Sequence, residues 1–524
     1  MPVEQMSREK SLEALRKREE PWDLLVIGGG ATGIGIALDA ASRNLDVLLF
    51  EQSDFGKGTS SRSTKLIHGG VRYLQQGNLT LVSDALQERS RLIRNAPHLV
   101  RDRSFLVPCH SFWERIFYGT GMKLYDFLAV RDSFGSSGWL SKSEVAEVAP
   151  ALQHKKLKGA VRYHDGQFDD ARLLLSMARS AFDHGACLLN YVQVNQFLKD
   201  GSGKVIGVEA SDQLAEESFA PHARSVINAT GPFSDTVRKL DEQNAEKMIA
   251  PSQGVHLVVP ISFFPGEAAM IVPKTPDGRV IFIIPWHDHA IIGTTDTEIP
   301  EAVLEPTAQE DEIQFLLDTS ADYLAKPLSR SDVLSIYTGI RPLVKNSNAG
   351  RTASLSRDHH IQTSSSGVVT IAGGKWTTVR KMAEDCVDVA VKQANLPAKE
   401  CVTKNLKLHG HQENLNVDDP RSAYGSDLVA LEQLEAEHPS WAEPFSKSLS
   451  LRPSEVVWAA RNEMAQTLDD VLTRRSRCLF LDARATLAIA PDVARRLAQE
   501  LNKDESWVTD QVEKFEIIAQ HFLP

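Results

Sequence analysis

The chain has 524 residues, 42% hydrophobic and 24% charged, with a formal net charge of -11 at pH 7, long enough for two or three domains. The acidic balance argues against nucleic acid as the main partner, because phosphate-backbone binding needs a basic surface, and no apolar run reaches the length of a membrane span. Five scattered cysteines without a CxxC pair argue against a disulfide framework or a zinc site and fit a reducing compartment.

The charged stretch 1–20 reads as a helical leader stopped by Pro21. "DLLVIGGG" then reads as a buried strand breaking into a glycine turn, "GIGIALDAASRN" as a helix and "DVLLFE" as a second strand. Gly28, Gly30 and Gly33 fit G-x-G-x-x-G. The first permits a tight turn, the second lets the backbone approach a pyrophosphate, and the third brings helix against strand. The helix N-terminus, at Ala31 and Thr32, then faces the anion. Glu51 ends the second strand where a ribose diol needs an acceptor, which favours FAD or NAD over NADP. In "GTSSRSTKLIHGGVRYL" (58–74), Thr59, Ser60, Ser63, Lys65, Leu66 and His68 belong to a Ser/Thr-rich loop suited to wrap a diphosphate and run along an isoalloxazine ring. A simple NAD unit would proceed to another helix and strand.

Residues 91–160 are rich in aromatics, Arg and Pro and carry no βαβ rhythm. Within them "FWERIFYGTGMKLYDFLAVR" (112–131) alternates aromatics and Leu with Arg and Lys, a pattern that suits an interfacial helix and a domain core equally. "DDARLLLSMARSAFDHGA" (169–186) reads as an amphipathic helix ending at Gly185. Buried strands follow at 225–231, 256–260, 280–286, 290–296 and 368–374, and short β-runs of this kind predict an antiparallel sheet in a second domain. "NATG" places Thr230 and Gly231, and "AGGKWTT" places Gly374, Lys375, Thr377 and Thr378, at strand ends that return to one ligand. Three distant segments converging suit the longer cofactor, FAD. From about Leu396 the chain turns to Glu-, Arg- and Ala-rich helices. There "RRSR" (474–477) reads as a solvated face, or as a second surface for membrane contact or self-association.

The segments "GGGATGIGIALDAA", "TSSRSTKLIHGGVRYL", "APHLV", "DDARLLL", "NATGP", "IPWHDHAIIGTTD", "TGIRPL" and "GGKWTTVRKMAE" resemble, in order, the FAD-dependent glycerol-3-phosphate dehydrogenases of the D-amino-acid-oxidase-like flavoprotein group. The tail "RNEMAQTLDDVLTRRSRCLFLDA" is similar to that family's helical C-terminal domain. The fold expected is α/β plus α+β. A Rossmann-like FAD-binding domain takes residues 21–90, 160–240 and 335–395, an antiparallel-sheet substrate (cap) domain takes 91–159 and 241–334, and a C-terminal helical domain takes 396–524. The resemblance implies noncovalent FAD and oxidation of sn-glycerol 3-phosphate to dihydroxyacetone phosphate, with electrons passing to a membrane quinone. The alternative is an oxidase that uses oxygen and releases hydrogen peroxide; the lack of an obvious insertion between "GTTD" and "GIRPL" favours the dehydrogenase. The expected location is cytoplasmic, attached peripherally to the cytoplasmic face of an inner membrane, and a homodimer is compatible.

A phosphorylated alcohol needs cations, and the candidates are Arg72 beside Tyr73, Arg341 in "GIRPL", Arg357 in "LSRDHH" and Lys375. Arginine offers a planar fork matched to phosphate oxygens and lysine a point charge. His68 and His256 are the candidate bases, since histidine titrates near neutrality, and Arg341 is suited to stabilise a developing alkoxide. His68 is equally suited to hydrogen-bond the flavin. Thr295 and Asp296 are expected to line the pocket or hold its wall. Lys375, Thr377 and Thr378, at a helix start, suit negative charge on the flavin, with N-capping as the alternative role. No metal site is expected.

Overall fold

The computed structural model describes residues 5–70, 79–129, 135–153, 155–273, 275, 279–345, 358–416 and 419–524. The apolar runs read as the first strands, Trp22–Ile27 and Val47–Phe50, pair in parallel with each other and then with Ala223–Asn228, Val369–Gly373 and Cys187–Leu189, while His359–Thr363 closes one edge antiparallel. Alternate side chains serve opposite layers. Leu24 and Val26 face the helices Ala31–Ser42, Asp170–Asp183 and Val379–Ala394. Leu25 and Ile27 face the small antiparallel sheet of Val192–Lys199 and Val205–Asp212, and the leader helix Arg8–Lys17 through Leu12 and Leu15. Burial on both faces is why these strands read as continuous apolar runs. The helix expected over 169–186 runs Asp170–Asp183, starting at the Asp169 side chain, which accepts from the Arg172 amide at 3.0 Å, and Gly185 follows its end at φ +93°.

The chain order of this sheet reverses about Trp22–Ile27, between Val47–Phe50 and Ala223–Asn228. Open parallel sheets carry their ligand crevice at such a reversal, beyond the carboxyl ends of the strands. Gly28 sits there at φ +109°, and a Cβ on Gly33 would stand 1.8 Å from the Gly28 carbonyl oxygen, so the helix approaches the turn as closely as glycine allows.

Among the described residues the second sheet has ten strands and is mostly antiparallel. Its membership corrects the expected boundaries. Gly159–Phe168 pairs with Val100–Cys109, Leu66–Ile67 pairs with Gly159–Phe168, and all ten residues of Ser335–Val344 pair with Ile249–Pro260. The stretches 160–168 and 335–344 therefore belong to this second sheet rather than to the parallel one.

In the C-terminal unit, helices Pro453–Asn462, Ala483–Leu501 and Glu505–Gln520 pack around Val471, Leu479, Val493 and Phe515, and Leu428–Glu437 packs through Leu431 with Tyr424 and Trp458. Here the reading of 474–477 as a solvated or membrane-facing surface is overturned: Arg474, Arg475 and Arg477 are all buried. Arg475 donates twice to Asp54, once at 3.0 Å, and Arg474 donates to Asp54, to Asp469 at 2.9 Å and to Asp470 at 2.8 Å. Arg477 bonds the Ser61 carbonyl at 2.7 Å and Asp170 at 3.1 Å. Burial alone would raise the Asp54 carboxyl; Arg475 and Arg474 outweigh it and hold the group below the usual carboxylate range. The run is basic because it meets carboxylates of the nucleotide unit inside the molecule.

His409 is held between Asp183 at 2.7 Å and Asp427 at 2.9 Å. Burial disfavours its cation, yet the two carboxylates prevail and lift it to about 9. All five cysteines are free thiols.

Removing one partner of a buried ion pair leaves an uncompensated charge, at about 3–5 kcal/mol. Asp54→Asn is therefore expected to lower the unfolding free energy measured by denaturant titration by that much, and an unchanged value would refute the joint. For His409 the folded pKa is raised, so its stabilisation is complete below the unfolded value near 6.5 and disappears as pH rises through about 9. Wild type should lose on the order of 3 kcal/mol across that interval, a loss that His409→Gln should abolish in unfolding curves taken at stepped pH.

Candidate functional site

Two adjoining clefts open where the glycine turn, the loop after Glu51 and the segment 373–377 converge. The first encloses about 410 Å³ and is lined by Gly28, Gly30, Ala31, Thr32, Glu51, Thr59, Ser60, Thr230, Gly231, Gly374 and Lys375, eleven of the positions read from sequence. The N-terminus of Ala31–Ser42 opens onto it, and the Ala31 amide donates to Ser60 Oγ at 2.9 Å. A helix start of this kind carries partial positive charge and unfilled amides, a natural anion site. Glu51 accepts from the Gly29 amide at 2.7 Å and the Ser53 amide at 2.9 Å, and burial pushes its carboxyl up. Leu304 also lines this cleft, on a segment clasped by Glu305, which pairs with Lys57 at 3.0 Å and with Arg62. Lys57 bonds Asp469 as well, at 2.7 Å.

The second cleft encloses about 320 Å³ and shares Thr59, Pro342, Gly373, Gly374, Lys375 and Trp376 with the first. Strand order divides its lining. His256, Thr294, Thr295, Asp296 and Arg341 come from Ile249–Pro260, the end of His289–Gly293 and Ser335–Val344, at one part of the sheet. Val107, Ile271 and Phe282 come from strands further along it, with Tyr118 and Met122 from the helix Phe112–Ala129.

Arg341 is held by Thr294 Oγ1 at 3.2 Å, the Thr295 carbonyl at 3.1 Å and Asp296 at 3.3 Å. A Cβ on Gly254 would meet its Nη2 at 2.6 Å, so glycine there makes room for the guanidinium. His256 stacks on Tyr337 with centroids 4.5 Å apart, and its Nε2 lies 2.9 Å from Thr64 Oγ1. Its Nδ1 is buried without a hydrogen-bond partner among the described residues. Burial, reinforced by Lys65 and Arg341, drives its pKa well below 6.5, so the ring is neutral. Thr295 donates to Glu312 at 2.8 Å and accepts from the Val255 amide at 2.9 Å, which makes it a support of the wall. The Thr377 hydroxyl donates to the His68 carbonyl at 3.1 Å and that of Thr378 to the Lys375 carbonyl at 3.3 Å. Thr378 occupies the N-cap position of Val379–Ala394, where among the described residues its side chain makes no capping hydrogen bond.

Ser63, Leu66 and His68 line the second cleft. Lys65 lines neither and corrects its expected cofactor contact: fully buried, its ammonium bonds Asp170 and the Ser61 carbonyl, at 2.7 and 2.8 Å. Burial, with Arg477 adding to it, lowers Lys65 to about 7. Gly33 and Thr378 likewise lie off both surfaces, one packed against Gly28 and the other turned to its own turn. Arg72, Tyr73 and Arg357 lie outside the described residues.

Residues 23–380 match the family described as FAD dependent oxidoreductase, and residues 369–507 match the C-terminal domain of alpha-glycerophosphate oxidase. Among curated relatives, the mitochondrial glycerol-3-phosphate dehydrogenase of Arabidopsis thaliana is 40% identical over 99% of this chain and 89% of its own. The chain belongs to the FAD-dependent glycerol-3-phosphate dehydrogenase family. The mitochondrial glycerol-3-phosphate dehydrogenase of Homo sapiens is also 40% identical, over 97% of this chain and 74% of its own. The crystal structure of the glycerol-3-phosphate dehydrogenase from Bacillus halodurans complexed with FAD aligns at TM-score 0.80 and 31% identity, covering 99% and 98% of the two chains. The L-alpha-glycerophosphate oxidase of Mycoplasma pneumoniae shares the fold at TM-score 0.56 and 18% identity, covering 74% of this chain and 98% of its own.

The family's cofactor fits what is present: a glycine turn admitting close backbone approach, a helix N-terminus for a pyrophosphate, a buried carboxylate, and a cleft continuing past Gly373–Trp376 into a second chamber. Trp376 was not singled out from sequence, although it stands between Lys375 and Thr377. Its indole N–H donates to the Ser60 carbonyl at 2.9 Å, tying the nucleotide loop to the junction of the clefts. Arg62, Asp165 and Arg279 also line the second cleft; Arg62 lies within the Ser/Thr-rich loop, directly before Ser63, and Asp165 is carried in by the strand Gly159–Phe168.

Proposed function

We propose that this protein oxidises sn-glycerol 3-phosphate to dihydroxyacetone phosphate and passes the electrons to a quinone at a membrane surface. The observation that carries the reading is the second cleft, cationic and hydrogen-bonding at one part, apolar and aromatic at another, and continuous with a nucleotide cleft through Lys375. When bound, FAD supplies the hydride acceptor, at N5, for the hydrogen on C2 of the substrate. Gly28, Gly30, Ala31 and Thr32 hold the pyrophosphate, and Glu51 uses its remaining lone pairs for the ribose. Thr59, Ser60, Thr230 and Gly231 enclose the diphosphate stretch, while His68, Gly374, Lys375 and Thr377 border the ring. This division makes residues 21–65, 170–240 and 359–395 the FAD-binding unit.

Arg341 and Lys375, with Arg72 and Arg357, supply the positive charge for the phosphate and for the oxygen that becomes a carbonyl. Asp296 and the Thr294 hydroxyl orient Arg341 before substrate arrives, so little reorganisation accompanies the charge change. Neutral His256 is in the form that accepts the hydroxyl proton, and Tyr337 and Thr64 fix its ring plane.

The helix Phe112–Ala129 supports the membrane reading. Tyr118, Met122 and Tyr125 are buried, whereas Phe112, Trp113, Phe117 and Phe127 are 66%, 76%, 62% and 72% exposed. A stripe of large exposed apolar side chains marks an interaction surface, and with Arg115 and Lys123 on the same helix it suits the boundary of a bilayer. Among the described residues no helix is long and apolar enough to cross one, which fits attachment from one side. The sequence reading of 112–131 left core and interface as rivals; this helix buries one face and exposes the other.

Under anaerobic conditions sn-glycerol 3-phosphate should bleach the oxidised flavin band of the purified protein. Arg341→Met should lower kcat/KM by about 10- to 100-fold, the worth of a charge-assisted hydrogen bond of roughly 1.5–3 kcal/mol. An unbleached wild-type band would remove the assigned substrate, and peroxide formed stoichiometrically in air would replace the quinone by oxygen. Replacing Phe112, Trp113, Phe117 and Phe127 together by Ser should abolish co-sedimentation with lipid vesicles while leaving bleaching intact; retained sedimentation would move the membrane surface elsewhere.

A further inference from the structure

The peptide group joining His68 to Gly69 is pinned at both ends. Its carbonyl accepts from Thr377 Oγ1 at 3.1 Å, and its N–H donates to the Tyr125 hydroxyl at 3.0 Å. Thr377 precedes the helix Val379–Ala394 of the nucleotide unit, and Tyr125 belongs to Phe112–Ala129, packed on the substrate sheet. One peptide plane in the wall of the second cleft is thus stretched between the two units whose cofactor and substrate must meet.

The Tyr125 hydroxyl is itself fixed. It donates to Asp165 Oδ2 at 2.9 Å, and Arg89 holds Asp165 Oδ1 at 2.8 Å. The Gly69 amide lies a further 3.4 Å from Asp165 Oδ1. Tyr125, Asp165 and Arg89 are all buried, and Asp165 reaches the cleft surface alongside His68. Contact is tight: a Cβ on Gly69 would stand 2.4 Å from the Tyr125 hydroxyl oxygen and 2.5 Å from Leu86 Cδ2. A buried hydroxyl saturated by a carboxylate that is in turn neutralised by an arginine has one orientation available, so it transmits position rather than yielding to it.

We propose that Tyr125 is a positioning residue for the oxidation, setting through Asp165 and Arg89 the orientation of the His68–Gly69 peptide and hence of His68 beside the flavin. This rests on the functional reading above. Tyr125 touches neither substrate nor cofactor, so its loss acts on the rate of hydride transfer rather than on substrate affinity.

The test is stopped-flow reduction of bound FAD by sn-glycerol 3-phosphate in wild type, Tyr125→Phe, Gly69→Ala and the double variant, with flavin absorbance spectra and thermal midpoints of each. Tyr125→Phe keeps the ring packing. It should slow reduction by about tenfold, within the range that sub-ångström misplacement of a reacting group produces, leave the substrate concentration for half-maximal rate unchanged, and shift the flavin band. Gly69→Ala should cost more in the wild-type background than in Tyr125→Phe, where the obstructing hydroxyl is gone. A lowered thermal midpoint with unchanged reduction rate and band in Tyr125→Phe would overturn the proposal, as would strictly additive costs. If substrate fails to reduce wild-type flavin, the functional reading falls separately; an unshifted band in Tyr125→Phe then overturns the positioning role, and a shifted one sustains it.

Discussion

The buried contact of Asp54 with Arg474 and Arg475 is the constraint on which the rest of the site is built. Asp54 lies on the loop that leaves Glu51 and leads to Thr59 and Ser60, and this loop has little regular structure of its own. Its shape is imposed from behind by the C-terminal unit, through Arg474 and Arg475 at Asp54, Arg477 at the Ser61 carbonyl and Asp469 at Lys57. Desolvating so many charges is costly, and a cluster of this kind contributes specificity of arrangement more than net stability. With alternating cations and carboxylates, only one register of helix against loop satisfies them all. The helical C-terminal unit therefore shapes the loop that borders the first cleft although none of its side chains lines either cleft.

The same division of labour recurs in the second cleft. Residues that face the cavity, Arg341 and His256, take their geometry from residues behind them: Asp296, Thr294, Tyr337 and Thr64. Thr295, Val255 and Glu312 then lock the strand that carries the wall. The supports come from several elements: Tyr337 from Ser335–Val344, Thr294 and Asp296 from the end of His289–Gly293, Thr64 from the Ser/Thr-rich loop and Glu312 from the helix Glu310–Ala321.

Local chemistry was legible in the sequence wherever a residue's role depends on its neighbours in the chain. The glycine turn with Glu51, the helix closed by Gly185 and the strand ends at Thr230 and Gly374 were all readable, because turn, cap and strand are set within a dozen residues. Partnership across the fold was not. The strand Ser335–Val344 reads the same whether it pairs with Val369–Gly373 or with Ile249–Pro260, so the domain boundary fell short of the sheet it joins. A charge run announces neither its exposure nor its counter-ions, and "RRSR" and Lys65 were accordingly misplaced; Asp54 and Asp170, which neutralise them, stand hundreds or scores of residues away. The stripe on Phe112–Ala129 showed its amphipathic period but not that two different surroundings divide its circumference.

The clasp on Lys57 bears on how the molecule is assembled during synthesis. The glycine turn and the Ser/Thr loop leave the ribosome first, whereas Glu305 and Asp469, which fasten Lys57, are made much later, together with Leu304 over the first cleft. Until both have been made, Lys57 lacks the two carboxylates that hold it in the folded molecule. The loop that borders the first cleft is thus made first and fastened last.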